Sequence, residues 1–245
     1  MEEMAAGSGS YGTVALVGAG EFLPAMEAVD RALLASVAPT ARVVVLPTAS
    51  APDGPGVPER WARMGSEHFT RLGAEVRSLM VLTREDAQRA DLAEQIAWAN
   101  VVYLSGGKPR YLLDTLAGTL AWQAIQRVYE SGGVVAGCSA GAMVLGGELV
   151  DVPQVWRTRP ALGLVPGILV IPHFDEMRSW ISATLSAMPR TTTMVGIDGL
   201  TALVGHAGRY IVSGQGGVTV MTSGSKARYL DGQHVILPNI SSSDR

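Results

Sequence analysis

The stretch that most constrains this chain is Gly132-Gly133-Val134-Val135-Ala136-Gly137-Cys138-Ser139-Ala140-Gly141-Ala142-Met143. Small and β-branched residues run into Gly-x-Ser-x-Gly, and an Ala/Met/Leu run leaves it, which predicts a strand, a sharp turn and a helix. The residue at the apex of such a nucleophile elbow takes a strained backbone conformation. Glycines two before and two after it let strand and helix pass without a Cβ clash. Ser139 is therefore expected to stand clear of a sheet at a helix N-terminus, where free N–H groups and the dipole can stabilise an oxyanion. A plain Gly-rich turn with Ser139 as its N-cap would satisfy the same pattern, so the rest of the chain has to decide.

An elbow of this kind needs a parallel sheet beneath it. The 245 residues, 47% hydrophobic with mean hydropathy +0.23, supply ample material for one buried core. Residues 1–10 are small and polar and read as a frayed tail, leaving 11–245 as a single domain. Strands are expected over 13–17, 42–46, 75–81, 100–104 and 168–171, with helices over 24–37, 59–72, 84–97, 111–129 and 175–188. The β-branched run 42–46 has the composition of a strand buried on both faces. This alternation argues for an α/β fold: a doubly wound, mostly parallel sheet with helices on both faces. Short strands over 194–198, 201–204, 210–213, 218–222 and 235–237, separated by glycines, suggest antiparallel hairpins extending one edge near the C-terminus.

Several function classes fall away on composition. A net charge of -3 and a pI near 5.8, with no stripe of basic and aromatic residues, argue against a nucleic-acid partner. Acidic residues at positions 2 and 3 and the lack of an 18-residue apolar run argue against a secretory leader or a membrane span, so the expected location is the cytoplasm. The single cysteine, Cys138, rules out an internal disulfide and a multi-cysteine metal site. Gly18-Ala19-Gly20 after the first strand resembles the start of a dinucleotide fingerprint, but the third glycine is replaced by Leu23. No metal and no cofactor are expected.

Two further places carry chemistry. The strand 100–104 ends in Ser105-Gly106-Gly107-Lys108-Pro109-Arg110, one βα unit before the elbow and at the sheet edge where α/β folds place functional loops. Gly107 is the first candidate for an oxyanion donor beside the N–H of Ala140; a tight turn into the next helix is the plainer alternative. Downstream, the strand 168–171 delivers Pro172-His173-Phe174-Asp175. A histidine at the end of a buried strand beyond an elbow serine is where a general base belongs. His68 lies along an apolar helix stripe and reads as structural, and His206 and His234 receive no role.

Taken together, Gly106-Gly107 with Leu112, the elbow 137–142, the 163–167 run, His173-Phe174 and Gly196-Ile197-Asp198 resemble the serine peptidase family of cyanophycinase and aspartyl dipeptidase (dipeptidase E). The resemblance runs from about residue 13 to 220. It implies a fold similar to class I glutamine amidotransferases. It also implies a Ser/His/acid exopeptidase that removes terminal units from short aspartate-containing peptides without metal or cofactor. Three departures stand out: Lys108-Pro109-Arg110 replaces an acidic or amide residue followed by Gln, Gly199 replaces a Glu, and the arginine pattern beyond His173-Phe174 is thinner, with only Arg178 nearby.

On that resemblance Asp151 corresponds to the acid that orients His173, with Glu148 as the fallback. Asp198 reads as a turn anchor, and Asp175 is too close in sequence to its own histidine. Lys108, Arg110 and Arg178, with Arg157 and Arg159, are candidates to meet a substrate carboxylate, which favours a bidentate guanidinium. The expected partner is a short peptide, and a homodimer is compatible with the sequence. Two alternatives remain: an amidotransferase-like enzyme using Cys138, and a binding or regulatory domain that keeps the fold without the activity.

Overall fold

The computed structural model describes residues 12–37, 39–150, 158–176 and 193–237. In chain order they form β1 (Thr13–Val17), α1 (Glu27–Ala35), β2 (Arg42–Leu46), α2 (Val57–Arg71), β3 (Glu75–Ser78), α3 (Arg84–Ala87), α4 (Ala90–Ala97) and β4 (Val101–Leu104). Next come α5 (Pro109–Leu116), α6 (Leu120–Glu130), β5 (Val134–Cys138) and α7 (Ala140–Leu145). Strands then dominate: β6 (Gly146–Val150), β7 (Thr158–Pro160), β8 (Val165–Ile171), β9 (Thr193–Ile197) and β10 (Thr201–His206). The last are β11 (Arg209–Gly214), β12 (Gly217–Met221), β13 (Lys226–Leu230) and β14 (His234–Ile236).

The strands form an eight-stranded sheet, ordered β14-β11-β10-β1-β5-β4-β2-β3, and a six-stranded sheet, ordered β13-β12-β9-β8-β6-β7. In the first sheet β1, β5, β4, β2 and β3 run parallel, and β10, β11 and β14 continue it antiparallel beyond β1. Alternate residues of its central strands enter opposite cores, as a pleat with period two requires. Val14, Leu16, Val44, Leu46, Val102 and Leu104 pack with Ile96 of α4, Leu112 of α5 and Ile125 of α6. Their neighbours Ala15, Val17, Val43, Val45, Val101 and Tyr103 pack with Val29 and Leu33 of α1 and Phe69 of α2. The doubly wound α/β arrangement is thus present, with helices on both faces of the parallel strands.

Differences from the sequence reading have local causes. The helix expected over 111–129 starts at Pro109 and breaks at Ala117-Gly118-Thr119. There Gly118 takes φ 71°, and the Thr119 hydroxyl caps α6 by accepting the Trp122 N–H. The helix expected over 84–97 divides into α3 and α4, and Thr83 and Asp86 close a capping box on α3. The strands expected over 194–198 and 218–222 do not extend the first sheet. They lie in the second, where β9 pairs with β8 and β12 pairs with β9. Glycine-marked hairpins reveal where a chain turns but not which distant strand it meets. Residues 1–10, and all but the first two residues of the helix expected over 175–188, lie outside those described.

Candidate active site

β5 lies between β1 and β4 and hands the chain to α7 through Ser139. Ser139 has φ 50° and ψ −108°, a conformation that costs an L-residue about 1–3 kcal/mol. The turn is held by its neighbours. The Ser139 N–H donates to the Val17 carbonyl at 2.9 Å. A Cβ on Gly137 would fall 2.4 Å from the carbonyl carbon of Gly141. The glycines of the motif are therefore steric necessities, and the apex residue is Ser139 and not Cys138.

His173 follows β8, in the second sheet, and Ser139 follows β5, in the first, yet Ser139 Oγ and His173 Nε2 lie 3.1 Å apart across a sequence separation of 34. His173 also has positive φ, 51°, in a turn closed by Glu176 N–H donating to the His173 carbonyl at 3.1 Å. Phe174 locks that turn to β9: its N–H donates to the Ile197 carbonyl at 3.1 Å. Its ring occupies the space where a Gly196 side chain would stand. This interlock accounts for the pairing of His173-Phe174 with Gly196-Ile197 in the sequence.

Among the described residues, the carboxylate paired with His173 Nδ1 belongs to Glu176, whose Oε2 is 4.0 Å away and whose side chain is 72% exposed. Glu176 had no place in the sequence reading, although a His-x-x-Glu turn could have signalled it. Asp151 and Arg178 lie outside the described residues, as does Arg157. Asp175 faces elsewhere: its Oδ1 accepts the Gly199 N–H at 2.9 Å. Asp198 anchors a turn, as its sequence position suggested. Its buried Oδ2 accepts the Gly217 N–H at 3.0 Å and pairs with Arg228 at 2.5 Å. Glu148 sits on β6, opposite Pro160 of β7.

The Gly106-Gly107 loop packs beside the elbow. A Cβ on Gly106 would lie 3.3 Å from that of Ser139, and one on Gly107, φ 142°, would lie 2.3 Å from the Ala49 carbonyl oxygen. Ala49 belongs to a 3₁₀ turn, Thr48–Asp53, and its carbonyl accepts the Lys108 N–H at 2.7 Å. Among the described residues the Gly107 N–H has no hydrogen-bond partner, and Ala140 opens α7, where the first N–H has no intrahelical acceptor. Both candidate oxyanion donors are therefore at hand. The cations that follow are engaged at the surface: Lys108 with Asp53 at 3.3 Å, Arg110 with Asp114 at 3.7 Å, and Arg159 with Asp114 at 3.3 Å.

Cys138 points into the core between β5 and α1–α2 and donates its S–H to Glu21 Oε2 at 2.9 Å. Burial, and then the Glu21 carboxylate, pushes its thiol well above the usual range, so it stays protonated and unreactive. The Gly18-x-Gly20 pair also has a packing cause. A Cβ on Gly18 would fall 2.0 Å from the Asp198 carbonyl oxygen, and Gly20 adopts φ 92° against Leu200. His68 pairs with Asp30 at 2.7 Å deep between α1 and α2, a structural role.

The model of peptidase family S51 matches residues 14–212. Cyanophycinases from Synechococcus elongatus and Thermosynechococcus vestitus are each 31% identical over 178 residues, covering 67% of this chain and 55% of theirs. This chain thus spans about half the length of those relatives. A crystal structure of a peptidase from an acI-B1 Actinobacterium superposes with TM-score 0.86 at 32% identity, covering 94% of this chain and 98% of that one. A protein assigned as peptidase E from Listeria monocytogenes, at 17% identity and TM-score 0.59, shares the fold. Elbow, histidine turn and glycine loop all fall within the matched span, and the chain belongs to peptidase family S51.

Proposed function

We propose that this chain is a serine-type exopeptidase acting on short peptides that carry an aspartyl residue at the cleaved bond. The observation that supports it most is the 3.1 Å approach of His173 Nε2 to the Oγ of a serine held in elbow geometry. In this reading His173 accepts the Ser139 proton as Oγ attacks the scissile carbonyl carbon. The N–H groups of Gly107 and Ala140 receive the developing oxyanion, and because α7 has only six residues its individual N–H groups matter more than its dipole. His173 then protonates the leaving amine, and a water activated by the same imidazole hydrolyses the acyl-enzyme and frees Ser139.

Asp151 remains the proposed acid on the far side of His173, with Glu176 as the competitor the geometry adds. The acidic substrate rests on the family resemblance and on Arg178, five residues after the base. Lys108 and Arg110 each hold a carboxylate of their own, so the reading puts less weight on them. Relatives named as cyanophycinases and peptidases support hydrolysis of a peptide bond. A single cysteine held as a thiol suits a reducing cytoplasm.

The test combines a fluorophosphonate probe with a dipeptide pair. Wild type should take the label at Ser139 and cleave Asp-Leu at least ~10-fold faster in kcat/KM than Asn-Leu. A folded protein that takes no label removes the hydrolase reading. Equal rates on the two dipeptides remove the acidic specificity and leave the chemistry.

A further inference from the structure

The turn after β1 holds a carboxylate for which the hydrolase reading has no use. Glu21 is 8% exposed and has two partners. Its Oε1 accepts the Gly106 N–H at 2.9 Å, across a separation of 85 residues. Its Oε2 accepts the Cys138 S–H at 2.9 Å, across 117. One side chain thus ties the loop after β4 to the last residue of β5. Gly106 immediately precedes Gly107, and Cys138 immediately precedes Ser139.

The space around this bridge is narrow. A Cβ on Gly106 would fall 2.8 Å from Glu21 Oε1 and 3.3 Å from the Cβ of Ser139, so carboxylate, loop and nucleophile meet where one methyl group would not fit. Glu21 is itself held firmly. Gly20 and Phe22 on either side have φ 92° and 64°, and positive φ at a phenylalanine persists only when its surroundings dictate it. They do here: the Phe22 ring is buried against Trp61, His68, Phe69 and Tyr103. The Leu200 N–H also holds the Ala19 carbonyl at 3.1 Å. Two consecutive glycines, by contrast, rotate almost freely about their own backbone bonds, so Gly106-Gly107 needs an outside anchor.

We propose that Glu21 is a positioning residue: by accepting the Gly106 N–H, with its other oxygen on the Cys138 S–H, it holds the Gly107 N–H at the distance from Ser139 that the oxyanion requires, the Gly106 contact being the one that acts on the loop. The inference rests on the serine-hydrolase reading for its catalytic consequence. Glu21 touches neither substrate nor the reacting atoms in this account. A buried residue that merely fills space could be replaced by any side chain of similar volume. A bridge needs acceptor oxygen at the Gly106 end, because an N–H left unpaired there would turn toward other acceptors.

Four variants test it, read by steady-state kinetics, fluorophosphonate labelling and amide exchange. Glu21→Ala should cut kcat and the rate of fluorophosphonate labelling together by about 10²-fold, the effect of losing one oxyanion donor, with KM within about 3-fold. Glu21→Gln should restore both rates to within about 5-fold, since its amide oxygen can accept from Gly106 and its NH₂ can face the sulfur. Cys138→Ala should stay near wild type, because the Gly106 arm survives. Amide exchange at Gly106 should accelerate in Glu21→Ala and not in Glu21→Gln, a readout that needs no activity. If Glu21→Ala does not fold, Glu21→Asp, one methylene short of the reach, should give the same loss. Wild-type labelling and kcat in a folded Glu21→Ala, or a Glu21→Gln as slow as Glu21→Ala, overturns the bridge. Failure of the hydrolase reading shows separately, as unlabelled wild type; the exchange rates then still decide whether Glu21 holds the loop.

Discussion

A Cβ placed on Gly141 would lie 2.4 Å from the carbonyl oxygen of Leu104, so the residue two after Ser139 is pressed against the end of the neighbouring strand. No rotamer relieves a clash between Cβ and backbone. Gly141→Ala should therefore lower stability by about 1–3 kcal/mol, a fall of roughly 3–10 °C in Tm, and should displace the elbow enough to abolish turnover. Calorimetry and a peptide assay on the same sample check this. Wild-type values for both would mean that strand and helix are not so closely apposed.

Ser139 should show opposite effects on stability and activity. Its φ of 50° is unfavourable for any residue with a Cβ, and removing an activated nucleophile typically costs several orders of magnitude in kcat. Ser139→Gly should be at least as stable as wild type and essentially inactive, whereas Ser139→Ala should be equally inactive without the gain in Tm. An active Ser139→Ala would move the chemistry elsewhere.

The acids near the base should separate by phenotype. Asp151→Asn should lower kcat about 10³-fold or more by unfixing the tautomer of His173, as expected of a triad carboxylate. Glu176→Gln, at 4.0 Å and largely exposed, should cost less than about 10-fold. Asp198→Asn weakens a charged contact to Arg228 and should reduce stability by about 2 kcal/mol while leaving kcat of the folded protein intact. Steady-state kinetics and urea unfolding on the three variants give the order. If Glu176→Gln proves the slowest, Glu176 takes the role assigned to Asp151.

Cys138 links stability to alkali. Its thiol is raised by burial and by Glu21, so the folded chain keeps a proton that the unfolded chain releases from about pH 8.5 upward. The contribution is complete below that pH. It declines as pH rises toward the folded value, by at most about 1.4 kcal/mol per unit. Urea unfolding at pH 7.5, 8.5 and 9.5 should show the decline in wild type and a flatter profile in Cys138→Ala. Identical slopes would show that the thiol ionises equally in both states.

The parts of the site that sequence revealed are those where one residue type answers one steric demand. Gly137 and Gly141 are legible because no other residue fits the elbow, Ser139 because it stands at the apex between them, and His173 because it ends an apolar strand. The parallel half of the first sheet was legible from its alternation of strand and helix. The second sheet was not, because β9 meets β8, and β12 meets β9, through contacts no local pattern records. Glu21 escaped notice because its partners, Gly106 and Cys138, lie 85 and 117 residues away. A still longer separation hid the packing role of Gly18, whose neighbour is Asp198.

Ser139 and His173 come from different sheets, and that division governs how the chain would lose the proposed activity on warming. Each sheet can keep its own hydrogen bonds while the two slide or part slightly, and cooperative units of a protein often open at different free energies. A shift of about 1 Å between them suffices to break a reacting geometry that unfolding probes would not register. Heat inactivation should therefore precede the loss of helical signal. The proton-transfer distance serves as a strain gauge on the seam between the two sheets.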